Sequence, residues 1–119
     1  MGVTHTSLTV RDSRDQTDGL VITFLVDSGA EYSVVSKQDL GRLGITPYRK
    51  ITIVLADGTR RERLVGDAYF EFEGAIAPSP VIFGEKGDEP LLGLVTLESL
   101  GLILDPLSRK IEKRESLRM

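Results

Sequence analysis

Phe24-Leu25-Val26-Asp27-Ser28-Gly29-Ala30 is an apolar run that stops on an acid and passes at once into a small hydroxyl residue, a glycine and an alanine. A run of this kind is suited to a buried strand, and a carboxylate at its end either loses hydration or has a partner and a task. Taken alone, Asp-Ser-Gly is also an ordinary turn or cap signal. The elements on either side decide between the two readings.

Upstream, Val3 to Arg11 and Leu20 to Val26 are rich in strand formers, and the polar run from Asp12 to Gly19 between them predicts an antiparallel hairpin. Downstream, Ser36 with Asp39 three residues later opens a short helix that Gly44 can close. Thr52 to Ala56 and Arg63 to Phe72 flank Asp57-Gly58, the strongest two-residue hairpin signal in the chain, which predicts a long exposed hairpin closed by a type I′ turn. Ala75 to Phe83 reads as a strand interrupted near its start by Pro78 and Pro80, and Gly84 to Pro90 as a polar loop. After Leu91-Leu92-Gly93-Leu94, Val95 to Leu100 reads as a short helix ended by Gly101. Leu102 to Asp105 and Arg109 to Glu112 then give a strand, a turn and a last strand.

With 119 residues the chain fits one domain, 1-119, by the usual prior of roughly 100 to 200 residues each. A net charge of -3 gives no support to nucleic acid as a partner. The basic run Thr59-Arg60-Arg61-Glu62-Arg63 is short and interrupted by an acid, and reads as a solvated strand face. Between Gly84 and Pro90 the acids match no calcium-loop spacing and read as a solvated loop. No segment approaches the roughly 20 apolar residues of a membrane span, so no membrane partner is expected. Met1-Gly2-Val3-Thr4-His5-Thr6 matches the minimal myristoylation pattern, whose few fixed positions make a chance match the expectation. The absence of cysteine fits a cytoplasmic location.

The same composition prunes the chemistry. Without cysteine there is no thiolate nucleophile or cysteine-based zinc site, and the single histidine, His5, sits near the terminus with no G-x-S-x-G elbow anywhere. Neither H-E-x-x-H nor a second histidine exists for a zinc hydrolase, so no metal is expected. A phosphate-cradling glycine-rich turn is also missing. Carboxylate chemistry remains, and Asp27 is its best-placed candidate.

The run FLVDSGAEYSVVS, the Asp57-Gly58 hairpin and Pro90-Leu91-Leu92-Gly93-Leu94 together resemble the retropepsin family of aspartic proteases, in the family's order and over nearly the whole chain. The resemblance implies an all-β, retropepsin-like acid protease barrel with one or two short helices, forming half of a two-fold symmetric dimer. It implies a homodimeric aspartic endopeptidase without a cofactor, in which a water is activated between two Asp27 carboxylates, one per subunit, and an extended peptide is the substrate. Two carboxylates about 3 Å apart cannot both ionise, so they share a proton, one activating water while the other donates to the substrate carbonyl.

By the same resemblance Ser28 would bond across the dimer, Gly29 would let backbone approach the dyad and Ala30 would line the pocket. Glu31 stands where many members carry an aspartate that receives substrate backbone, and Ala56, Asp57 and Gly58 would form a flap over the peptide. The chain also departs from retroviral members. Leu94 replaces the arginine that often pairs with the acid after Gly-Ala, the flap tip holds less glycine, and Leu102 to Met119 continues past the helix. These departures point to a cellular or bacterial relative. Two alternatives stay open: a non-catalytic dimer that binds peptide or scaffolds a partner, and a piece cut from a longer polypeptide.

Overall fold

Side chains alternate between core and solvent along β1 (His5–Arg11) and β2 (Leu20–Val26), burying Leu8 and Val10 from one and Ile22, Phe24 and Val26 from the other. That period-two pattern fixes the antiparallel register, with Leu8 opposite Ile22, because a one-residue slip would turn every apolar side chain to water. The computed structural model describes residues 4–116. Val3, the first residue of the predicted first strand, and the first half of the myristoylation match, Met1 to Val3, lie outside them.

β3 (Ser33–Ser36) follows, and its last residue caps α1 (Lys37–Arg42): the Ser36 hydroxyl accepts the Asp39 N–H at 3.1 Å. Gly44, with φ of +82°, closes this helix as predicted. Its N–H reaches the Gly41 carbonyl and that of Ile45 the Leu40 carbonyl, each at 3.0 Å, the paired bonds of a Schellman ending.

Next come β4 (Arg49–Val54), β5 (Arg60–Phe72), β6 (Ala75–Gly84), β7 (Leu91–Leu92), α2 (Leu94–Ser99), β8 (Leu102–Leu104) and β9 (Ile111–Lys113). The strands of one sheet run β1-β2-β7-β3-β6-β5-β4, and an added pairing of β1 with β5 closes the first six into a barrel. β5 is long enough, at 13 residues, to serve two neighbours besides β6. Its start pairs with β4 and its end with β1. The β4–β5 hairpin therefore projects from the barrel as an exposed arm. β8 and β9 pair with each other in a separate two-stranded sheet.

Pro78 and Pro80 sit inside β6 rather than breaking it. β3 takes up the far side of β6 only from Val81 onward, so the missing proline N–H groups cost no bond in that ladder. The arm's tip differs from the predicted type I′ turn. Positive φ occurs at Gly58 (+84°) but not at Asp57. Leu55 donates to the Thr59 carbonyl at 2.8 Å and Gly58 to the Leu55 carbonyl at 2.9 Å, so Ala56, Asp57 and Gly58 form a longer loop ending in a left-handed glycine. The extra residue spares Asp57 the Cβ clash that left-handed backbone imposes. The type I′ geometry appears instead at Glu73 (φ +49°) and Gly74 (φ +88°), between paired Phe72 and Ala75.

Inside the barrel Phe24 and Phe70 are fully buried with ring centroids 6.1 Å apart, surrounded by Leu8, Val10, Val35, Val81, Leu92 and Leu97. Phe24 thus anchors the strand that delivers Asp27 to the surface.

Candidate active site

Asp27 is the first residue beyond β2, and its side chain is exposed although Val26 before it is buried. Its own N–H is tied to the Leu92 carbonyl at 3.0 Å, so β7 fixes the height at which the acid emerges. Its carbonyl accepts the Ala30 N–H at 3.1 Å, closing the turn Asp27-Ser28-Gly29-Ala30. The carboxylate oxygen Oδ1 accepts the Gly29 N–H at 2.9 Å. A Cβ at Gly29 would stand 3.2 Å from that oxygen, a tight contact that the carboxylate would have to relieve by shifting.

The turn is locked to α2. Leu94 donates to the Ala30 carbonyl at 2.8 Å and Val95 to the Glu31 carbonyl at 3.0 Å. Such close passage requires Gly93, because a Cβ there would lie 2.7 Å from the Tyr32 carbonyl and 2.8 Å from that of Glu31. Gly93 thus permits a close crossing of two chain segments.

Beneath the crossing lies a chain of buried hydroxyls. Gly93 N–H donates to Ser33 Oγ at 2.9 Å, Ser33 Oγ lies 2.6 Å from Thr96 Oγ1, and Thr96 Oγ1 lies 2.8 Å from Ser79 Oγ. Ser79 donates to the Pro80 carbonyl at 3.2 Å. Each hydroxyl has one proton, so that last bond sets the direction of the rest: Ser33 donates to Thr96 and Thr96 to Ser79. Every member gives once and accepts once, which is what full burial demands.

A cleft of about 690 Å³ opens between this loop and the arm. Ala30, Glu31 and Tyr32 line one side and Ile51, Ile53 and Leu55 the other. Arg49, at the start of the arm, donates Nη2 to the Tyr32 hydroxyl at 2.9 Å, with its guanidinium 5.7 Å from the ring centroid. The Arg63 guanidinium binds Asp88 with Nε and Nη2 at 2.8 and 3.1 Å, and Asp88 also accepts the Glu85 N–H at 2.8 Å. Arg63 is only 11% exposed, so the basic run around it is not wholly a solvated face. The hydrogen bonds from Arg63 hold the Asp88 carboxyl below the usual carboxylate range, and Asp88 raises Arg63 in turn.

Of the residues singled out in the sequence, the cleft gathers Ala30 and Glu31, while Asp27, Ser28 and Gly29 are not among its lining. Ala56, Asp57 and Gly58 occupy the arm's tip, beyond the lining residues Val54 and Leu55. Leu94 stands by the Ala30 carbonyl, and among the described residues the Glu31 side chain makes no hydrogen bond or ion pair, so the acid–arginine pairing common in retroviral members is not found among them.

Residues 16–99 match the family model described as "gag-polyprotein putative aspartyl protease", a span that holds the Asp27 turn, the arm and the Gly93 crossing. The chain belongs to this aspartyl protease family.

Solved structures agree on the retropepsin-like fold. EIAV protease complexed with the inhibitor HBY-793 is similar with a TM-score of 0.62 and 20% identity, over 84% of this chain and 89% of that one. A retropepsin-like aspartic protease from Rickettsia conorii is similar at 0.54 and 21%, over 87% and 88%. Simian foamy virus protease is similar at 0.53 and 19%, over 78% and 92%. The comparison with curated proteins gives no match.

Sequence reasoning missed three parts of this aspartyl protease scaffold: the Tyr32–Arg49 bridge, the Arg63–Asp88 pair and the buried hydroxyls. Ser33, Ser79 and Thr96 carry no local signal, since their partners lie 17 and 63 positions apart.

Proposed function

We propose that the chain is an aspartic endopeptidase that works as a homodimer, with Asp27 of each subunit forming a shared dyad. One observation carries the reading: a buried strand presents Asp27 to solvent on a turn pinned by Leu92 and α2, and among the described residues no cation pairs with its carboxylate. A carboxylate so rigidly held, exposed and unneutralised has half the geometry of an acid–base pair and lacks the second acid. Two-fold symmetry supplies it, because the same turn in a second copy meets the first across the axis.

In the assembled site one carboxylate accepts a proton from water while the other, protonated, donates to the scissile carbonyl. Ser28, next to the acid, faces the partner subunit and steadies the pair. The arm from Arg49 to Val65 closes over an extended peptide, Ile51 and Ile53 covering it from above and Ala30 and Leu91 from below.

The test is cleavage of a peptide library by the purified chain, with and without a statine-type transition-state mimic, beside the Asp27→Asn variant. Cleavage that the mimic blocks and the variant lacks supports the reading. Turnover retained by Asp27→Asn overturns the dyad, and a folded dimer that cleaves nothing favours the scaffold alternative.

A further inference from the structure

The cleft combines an aliphatic lining with an unbalanced set of charges. Val34, Ile51, Ile53, Ile82 and Leu91 supply apolar wall, and the ionisable lining groups besides Tyr32 are Glu31, Arg49, Asp88 and Glu89. Two of these four are already engaged. Asp88 is neutralised by Arg63 through bonds of 2.8 and 3.1 Å, whereas Arg49 gives the neutral Tyr32 hydroxyl one hydrogen bond at 2.9 Å and keeps its positive charge. Glu31 and Glu89 are exposed, and among the described residues their carboxylates make no hydrogen bond or ion pair.

Both acids are placed by rigid backbone. Glu31 follows the Asp27 turn and its carbonyl is held by the Val95 N–H at 3.0 Å. Glu89 precedes Pro90, whose carbonyl accepts the Leu25 N–H at 3.0 Å, so its segment runs beside the strand that delivers Asp27. An aliphatic trough with two open carboxylates against the single guanidinium of Arg49, which is turned to Tyr32, keeps a net negative charge and is complementary to aliphatic side chains interspersed with positive charge.

We infer that the cleft selects extended peptides bearing a lysine or arginine among aliphatic residues, with Glu31 and Glu89 as the specificity-determining carboxylates. The inference rests on the cleft being the peptide site of the proposed enzyme. Because both acids are solvated, each contributes a modest preference, about two- to fivefold per carboxylate, that fades as salt screens it. An acidic side chain in the same place meets like charge and is disfavoured.

The test uses octapeptides of valine, leucine and serine in which one of the four central positions carries lysine, norleucine or glutamate. Affinity is measured on Asp27→Asn, so that binding is read without turnover, and again with Glu31→Gln and Glu89→Gln added singly and together. The expected result is tighter binding of lysine than norleucine, and of norleucine than glutamate, in at least one position. The lysine-to-norleucine ratio should collapse towards one in the doubly substituted protein and shrink between low and high salt. Equal affinity for lysine and norleucine at every position, no measurable binding, or a ratio unmoved by both substitutions overturns the inference. A parallel arm asks whether the unaltered protein cleaves the same peptides: binding preference without cleavage supports this inference and counts against the peptidase reading.

Discussion

The Arg63 guanidinium holds Asp88 through both of its carboxylate oxygens, at 2.8 and 3.1 Å, and so ties the root of the arm to the loop that leads into Leu91. Two elements that must keep their spacing for the cleft to exist are joined by one partly buried ion pair. Its two hydrogen bonds are what hold the Asp88 carboxyl low.

The pH dependence follows from that direction. Because the folded Asp88 carboxyl titrates below its unfolded value of ~3.9, the stability it contributes is fully present above that value and is lost as pH falls through the folded one. Arg63 is raised, so it stays charged throughout and adds no break in this range. Asp88→Asn should cost about 1–2 kcal/mol near neutral pH. The gap in melting temperature between it and the parent should close below about pH 4. Thermal melts of both proteins from pH 3 to 7 check it, and a gap that widens on acidification would contradict the assignment.

Thr96→Val keeps shape but removes the middle hydroxyl of the buried chain, stranding the Ser33 proton and leaving Ser79 without a donor. An unpaired buried polar group costs about 1–3 kcal/mol. Denaturant unfolding should show a loss of that size, larger than for Ser79→Ala, which removes only the end of the chain.

Gly58→Val tests the arm. Gly58 adopts φ of +84° with nothing within 4 Å of an added Cβ, so the substitution strains the turn without a clash and touches no core residue. The melting temperature should fall modestly while peptide turnover falls steeply, and Gly58→Asn, tolerated in left-handed backbone, should recover part of the turnover. Turnover lost only in step with unfolding would rule out a closing arm.

How much of this was legible in the sequence depended on the range of the interactions. The Ser36 cap and the Gly44 ending rest on neighbours a few residues away, and strands β1 and β2 show a period of two with a polar turn between them, so all were readable from pattern. The four-residue strand β3 was not, because it is a strand only through β6 and β7, and its Ser-Val-Val-Ser run has too few positions to show a period. Asp57-Gly58 signalled a hairpin correctly but not its loop length, since the geometry depends on where β4 and β5 stop pairing. The Arg63–Asp88 and Arg49–Tyr32 pairs join charges to partners 25 and 17 residues away; in sequence Arg63 and Asp88 read as solvated groups, and nothing local pairs Arg49 with Tyr32.

The central claim is that two copies of Asp27 make one site, and a mixing experiment tests it most directly. A fixed amount of the unaltered chain is equilibrated with increasing Asp27→Asn chain, and peptide turnover is followed while sedimentation confirms that the two exchange into mixed dimers. A shared dyad predicts that the inactive chain poisons the active one, turnover falling to about half at equal amounts and towards zero in excess, because a mixed dimer has only one carboxylate. Turnover that stays constant while mixed dimers form would show that each subunit carries a complete site, and would contradict the account.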